Sequence, residues 1–396
     1  MLEQFAVTLR HTAGNPKSGD AAYTVLSEQD FSGACAEITA WEGYEGTPLV
    51  SLPGLAEKIG VGRIDYKHEG PRFGLGSFKA LGGSYAALRV LQRELSRRLG
   101  KDVSLEEIRK GAHKDACAGI TLVSATDGNH GRSLAWGCQR FGAPCRIYIH
   151  AEVSEGRAVA MRDLGAEVIR IAGDYDDSVL LAKKEAEENG WFVVSDTSWE
   201  GYTEPPRDVM AGYSVMTREV CETLEQAPTH VFLQGGVGGL AASVAAALRQ
   251  FYTVQAPRVV IVEPELAACL FDSARNGKAT NFAIQEETIM AGLSCGEPSE
   301  MAWEILTEEA TDFLTIPDSI VAPAVRLLAN AETGDPAVEA GESAVAGLAA
   351  LIAACQSAGI KETLGLDENS RVLLIGSEGV TDPAIYAAIM AGKDNV

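Results

Sequence analysis

Seven short apolar runs recur along the chain, separated by helix-compatible stretches, and this rhythm limits the fold more than any other feature of the sequence. The runs are ITLVSA (120–125), CRIYIH (145–150), EVIRIA (167–172), WFVVSD (191–196), HVFLQ (230–234), RVVIVE (258–263) and RVLLIGS (371–377). The intervening stretches include RSLAWGCQRFG, VAMRDLGA, YDDSVLLAKKEAEENG and GLAASVAAALRQF. A parallel strand pair needs a crossover long enough to cover the sheet face, so apolar strands alternating with helices predict an α/β fold with mainly parallel sheets under helices. Four of the runs crowd into 120–196 with short crossovers. They predict a small domain at 120–205 set into a large domain made of 1–119 and 206–396. The charged stretch 91–115 reads as surface helices that connect or decorate the two.

At 396 residues, 46% of them hydrophobic and 22% charged, the chain can bury a large core. A formal net charge of −22 argues against nucleic acid and anionic membranes as partners, because both are bound through clustered Lys and Arg. No stretch approaches the length of an uncharged apolar span, and the first residues, MLEQFAVTLRHTAGN, lack a basic segment followed by an apolar one. The expected location is the cytoplasm. Cysteines at 35, 117, 138, 145, 221, 269, 295 and 355 form no CxxC pair and no Cys/His metal spacing. They predict reduced, mostly buried thiols and no metal site.

Ligands of open α/β sheets bind beyond the carboxyl ends of the strands, so the loops that follow strands are where chemistry is expected. The first is LQGGVGGLAAS (233–243), where glycines let successive N–H groups face an anion at a helix start. Gly236, Gly238 and Ala241 also satisfy the dinucleotide fingerprint, with Glu263 as its ribose-binding acid, which keeps an NAD-dependent oxidoreductase open as an alternative. The same glycines also suit tight strand-to-helix packing. The second loop is SATDGNHGRS (124–133), with an acid, an amide and a histidine among glycines, though DGN is also an ordinary turn. The third is GSEGVTD (376–382), where Ser377 offers a hydroxyl or a helix N-cap.

A single lysine stands in GSFKALGG (76–83) among apolar and small neighbours. Poor solvation lowers an amine's pKa toward neutrality and makes it a nucleophile, whereas a lysine on a surface helix start has no such role. A phosphate cradle, a nucleophilic lysine, a polar loop and a terminal hydroxyl together point to pyridoxal 5′-phosphate held as a Schiff base.

SFKALGG, ATDGNHG and GGVGG resemble segments of the fold-type II pyridoxal-phosphate enzymes, the serine and threonine dehydratase class with its tryptophan synthase β-like fold. More narrowly, RFGLGSFKALGGSYA, ATDGNHGR, DTSWEGY, IVEPE, IMAGLSCGEP and GESAV look like segments of the diaminopropionate ammonia-lyases in the same order. Leu81 stands where dehydratases often carry Arg, and Asp127 where they usually carry Ser.

The resemblance implies that Lys79 carries the cofactor, Phe78 lies near its ring and Asn129 bonds its phenolic oxygen. It also implies that Gly235, Gly236, Val237, Gly238 and Gly239 cradle the phosphate and that Ser377 faces the pyridine nitrogen. The expected reaction is α,β-elimination of 2,3-diaminopropionate to pyruvate and ammonia, by a homodimer. Lys79 serves as base on one face. Thr126, Asp127, Gly128, Asn129 and His130 hold the substrate carboxylate, His130 chiefly by shaping the loop. Asp127 is a second base for the D enantiomer or a partner for the β-ammonium, and Asp196 is another candidate partner or a turn cap. A dehydratase of serine, threonine or hydroxyaspartate shares the fold and cofactor, and a non-catalytic amino-acid-binding protein needs no such lysine. Cys269 and Cys295 flank the IMAGLSCGEP region, and their pairing is left open.

Overall fold

The computed structural model describes residues 2–16, 19–126 and 128–393. Their strands are β1 Arg10–Ala13, β2 Leu49–Ser51, β3 Arg63–His68, β4 Leu122–Ala125, β5 Cys145–Ile149, β6 Glu167–Arg170, β7 Phe192–Val193, β8 His230–Gln234, β9 Arg258–Pro264, β10 Ala310–Ile316 and β11 Arg371–Gly376. The chain divides into two compact units, one of residues 1–28, 46–77 and 216–396, the other of residues 29–45 and 78–215.

The first unit holds a seven-stranded sheet in the order β1-β10-β9-β8-β11-β3-β2. Its interior pairs are parallel, and only the edge strands β1 and β2 run antiparallel to their neighbours. Every residue of β8 is buried, as expected of a strand covered on both faces. Helices Val321–Ala329 and Ala346–Gln356 supply much of the apolar core. No single helix among the described residues is long and apolar enough to cross a membrane. Strands β3 and β10 lie outside the seven apolar runs because both carry buried charges. Asp312 of β10 accepts from Arg258 Nε at 2.6 Å and lies 2.9 Å from His11 Nε2. Lys67 of β3 pairs with Glu219 at 2.5 Å.

The second unit holds a parallel four-stranded sheet in the order β6-β5-β4-β7. It extends beyond the small domain that the strand pattern marks, because helix Lys79–Leu99 lies along helix Asn129–Phe141. Glycines permit that approach. A Cβ on Gly83 would sit 2.7 Å from Ser133 Oγ, and one on Gly137 2.8 Å from Ser84 Cα. Ser84 Oγ then donates to Ser133 O at 2.7 Å, so the seam is both close and bonded. Gly100 at φ +63° and Gly142 at φ +81° end the two helices in the left-handed conformation that glycine adopts without penalty.

Candidate functional site

In the four-stranded sheet the chain leaves β4 for β5 on one side and returns to β7 on the other. The crevice past the carboxyl ends of β4 and β7 is therefore a topological switch point, where open α/β sheets bind ligands. Thr126 and residues 128–130 follow β4, and Asp196 follows β7. Asp127 lies outside the described residues.

Lys79 opens helix Lys79–Leu99 and reaches this crevice, where its Nζ donates to Asp196 Oδ2 at 2.7 Å. The side chains are 23% and 19% exposed, so the pair is sheltered but open to a ligand. The sequence alone predicts a lysine among apolar and small groups. The structure instead gives it a carboxylate partner 117 positions away. Burial pushes the Asp196 carboxyl up, but the Lys79 ammonium and His130 outweigh it and hold it well below the usual carboxylate range. His130 is 3% exposed. Its Nε2 lies 2.9 Å from Val194 O, which can only accept, so Nε2 carries the hydrogen. Its Nδ1 finds no hydrogen-bond partner among the described residues and lies 4.0 Å from Asp196 Oδ2. Burial lowers the imidazole's pKa, with Asp196 opposing. Asn129 is half-buried at the start of helix Asn129–Phe141, and Thr126 Oγ1 accepts from Gly128 N at 3.4 Å.

Phe78 packs against Tyr213, ring centroids 4.6 Å apart. Tyr213 is 2% exposed, and its hydroxyl finds no hydrogen-bond partner among the described residues.

The seven-stranded sheet has its own switch point. Strand β8 has β9 on one side and β11 on the other, and the glycine turn and Ser377 follow these neighbours β8 and β11. Gly236 at φ +59° and Gly238 at φ +98° shape the turn, which opens onto helix Gly239–Tyr252. A Cβ on Gly235 would meet Glu263 Cγ at 2.5 Å, so no larger residue fits. Ser299 N donates to Val237 O at 2.9 Å and braces the turn from outside. Ser377 is 5% exposed. Gln234 ties the strand ends together, its Nε2 donating to Ile375 O at 2.6 Å and to Ala344 O at 3.1 Å.

Glu263 has no part left for a ribose. It is fully buried, and its two oxygens accept from Leu270 N at 2.9 Å and Phe271 N at 2.7 Å. This removes the acid on which the dinucleotide alternative depends. All eight cysteines are free thiols, Cys269 donating to Gly236 O at 3.5 Å.

The segment leading to Lys79 is held by charges that the loop motifs did not mark. Arg72 donates to Glu69 Oε1 and Oε2 and to Glu219 Oε1 and Oε2, each at 2.8 Å, and Lys67 donates to Glu219 and to Thr47 O. Phe73 at φ +52° follows at once, a strained position for a non-glycine residue. The only signal of this cluster in the sequence is the density of charge in YKHEGPR, and Glu219 lies far from it.

The family model described as "Pyridoxal-phosphate dependent enzyme" matches residues 40–377. The chain is 39% identical over 354 residues to the diaminopropionate ammonia-lyase of Escherichia coli (strain K12), covering 88% of each. Its fold matches the crystal structure of the E. coli diaminopropionate ammonia-lyase in complex with an aminoacrylate-PLP azomethine reaction intermediate, with TM-score 0.88, 35% identity, and coverage of 98% of this chain and 99% of that one. The D-serine complex of the E. coli enzyme gives TM-score 0.85 at 35% identity, covering 98% and 99%.

Proposed function

Since the chain belongs to the pyridoxal-phosphate dependent enzymes and has the fold-type II architecture, we propose that it removes the β-amino group of 2,3-diaminopropionate, in both configurations, giving pyruvate and ammonia. The residues present fit the cofactor. An amine stands at one switch point, and a glycine-rich turn opens onto a helix N-terminus at the other, where the helix dipole favours a phosphate. In this reading Lys79 holds the aldehyde and residues 235–239 the phosphate. Ser377 would face the pyridine nitrogen, Asn129 would bond the phenolic oxygen and Phe78 would lie near the ring. When bound, the cofactor acidifies the substrate's Cα proton by drawing electrons into its ring.

The protein's own groups do the rest. Displaced by the substrate's α-amine, Lys79 Nζ would be a free amine able to take the Cα proton from one face, and Asp196, 2.7 Å from it, fixes where that nitrogen stands. Asp127 takes the proton from the other face, which admits the D enantiomer. The N–H groups of residues 126–130, at a helix start, bind the substrate carboxylate. Asp196 attracts the β-ammonium, a cation that hydroxy amino acids lack. Loss of the β-amino group and hydrolysis of the enamine that results give pyruvate and the second ammonia. A cytoplasmic homodimer belongs to the same proposal.

The observation that carries this reading is the Lys79–Asp196 pair at the β4/β7 switch point. Purified protein loaded with the cofactor is expected to show a visible absorption band that borohydride bleaches and Lys79→Ala lacks. It is expected to release pyruvate from 2,3-diaminopropionate faster than from serine or threonine. A band that persists in Lys79→Ala, or faster release from the hydroxy amino acids, overturns the reading.

A further inference from the structure

Strand β7 is an edge of its sheet, and an edge strand turns a row of N–H and C=O groups away from its one neighbour. Phe192 N and Val194 N donate toward β4, to Thr121 O at 3.0 Å and Val123 O at 2.8 Å. Val193 O and Ser195 N turn the other way, and one side chain takes both. The Tyr202 hydroxyl donates to Val193 O at 2.9 Å and accepts from Ser195 N at 3.0 Å. It stands where a further strand would. On the β4 side His130 Nε2 donates to Val194 O at 2.9 Å, so the chain is gripped from both flanks just before Asp196.

Tyr202 is itself fixed in place. Gly201 at φ +80° turns the chain back after Asp196, and Tyr202 N donates to Trp199 O at 2.9 Å. The two rings stack, centroids 4.0 Å apart with 11° between their planes. Lys183 Nζ, from helix Tyr175–Asn189, covers the Trp199 ring at 3.5 Å. Asp196 begins this short lap of chain and Tyr202 ends it, and the hydroxyl ties the two ends together. A functional group keeps its geometry only as well as the groups behind it are held. On the proposed function, we infer that Tyr202 is a positioning residue: its hydroxyl closes the open edge of β7 and so holds the Asp196 carboxylate against Lys79 Nζ. Without it, Val193 O and Ser195 N lose their partner, and the turn that carries Asp196 is free to leave the amine. A tyrosine that only shields the sheet edge would leave that pair intact.

Tyr202→Phe keeps the ring on Trp199 and deletes only the hydroxyl. It is compared with wild type, Asp196→Asn and the double variant, all as cofactor-loaded protein. The readouts are melting temperature, kcat/KM for 2,3-diaminopropionate, and the pH at which the visible band changes. That band follows the protonation of the nitrogen that Lys79 supplies, and a nearby carboxylate favours the protonated form. The other titratable groups that feel Asp196 are His130, whose pKa burial lowers, and the Tyr202 and Tyr213 phenols, which burial keeps protonated. Asp196→Asn is expected to lower the band's midpoint by about one pH unit or more, and Tyr202→Phe by roughly half a unit or more. Tyr202→Phe is also expected to lower kcat/KM about tenfold. The double variant is expected to match Asp196→Asn in both, because the hydroxyl acts through that carboxylate. Trp199→Leu keeps the hydroxyl but removes the ring that sets it, and it is expected to move the midpoint the same way; it decides the matter if Tyr202→Phe does not fold. An unchanged midpoint, or losses that add in the double variant, overturns the inference and leaves the function standing. A wild-type protein that forms no pyruvate from diaminopropionate overturns the function, and the inference with it.

Discussion

At the scale of single residues, the proposed reaction asks for two carboxylates and one amine. Asp196 meets Lys79 through the fold, whereas Asp127 is assigned from its place in the TDGNHG loop. A positioned acid–base group contributes about 10²–10⁴-fold, so losing one of two bases should be selective. Asp127→Asn is expected to abolish turnover of D-2,3-diaminopropionate while measurable L-activity remains. Equal loss for both enantiomers in a pyruvate assay would refute the two-base scheme. The contrast also shows what local sequence reveals. Lys79, the loop after β4 and the glycine turn stand out in the sequence because each is a short motif set off by its immediate neighbours, and the structure places the two loops past strand ends and Lys79 at a helix start. The Asp196 partnership, the Arg72–Glu219 charges and the orphan hydroxyl of Tyr213 do not stand out, because each depends on residues brought together only by the fold.

At the scale of elements, Glu263 links three of them, sitting at the end of β9, beneath the Gly235 turn and at the start of helix Cys269–Asn276. Burial pushes its carboxyl up to about 8 from an ordinary 4.5, against the two amides that favour the anion. The unfolded chain releases this proton near 4.5 and the folded one near 8. Across that window the unfolded state binds fewer protons, so stability falls as pH rises, by up to ~1.4 kcal/mol per pH unit from this group. Glu263→Gln removes that slope. Its melting temperature relative to wild type is expected to rise between about pH 5 and about pH 8, and a flat difference would count against a buried neutral acid. The elements themselves are readable where both sheet faces are covered, as in β8 and β11. They are unreadable from apolarity where charge is buried, as with Asp65 and Lys67 in β3 or Asp312 in β10.

At the scale of the whole molecule, the net charge of −22 is a general repulsion that no single ion pair removes. Raising ionic strength from about 0.02 M to about 0.2 M shortens the screening length to below ~10 Å. The melting temperature is then expected to rise by a few degrees, on the order of what relieved self-repulsion supplies, and a fall would show that attractive surface pairs dominate. The α/β class and the parallel character of both sheets follow from the rhythm of apolar runs. The edge strands β1 and β2 do not, since two short antiparallel segments leave almost no periodic trace. Strand β11, the last in sequence among the described residues, occupies the interior of its sheet between β8 and β3. On the ribosome, β3 and β8 therefore emerge long before the strand that joins them, and the sheet stays split in two halves until β11 has followed.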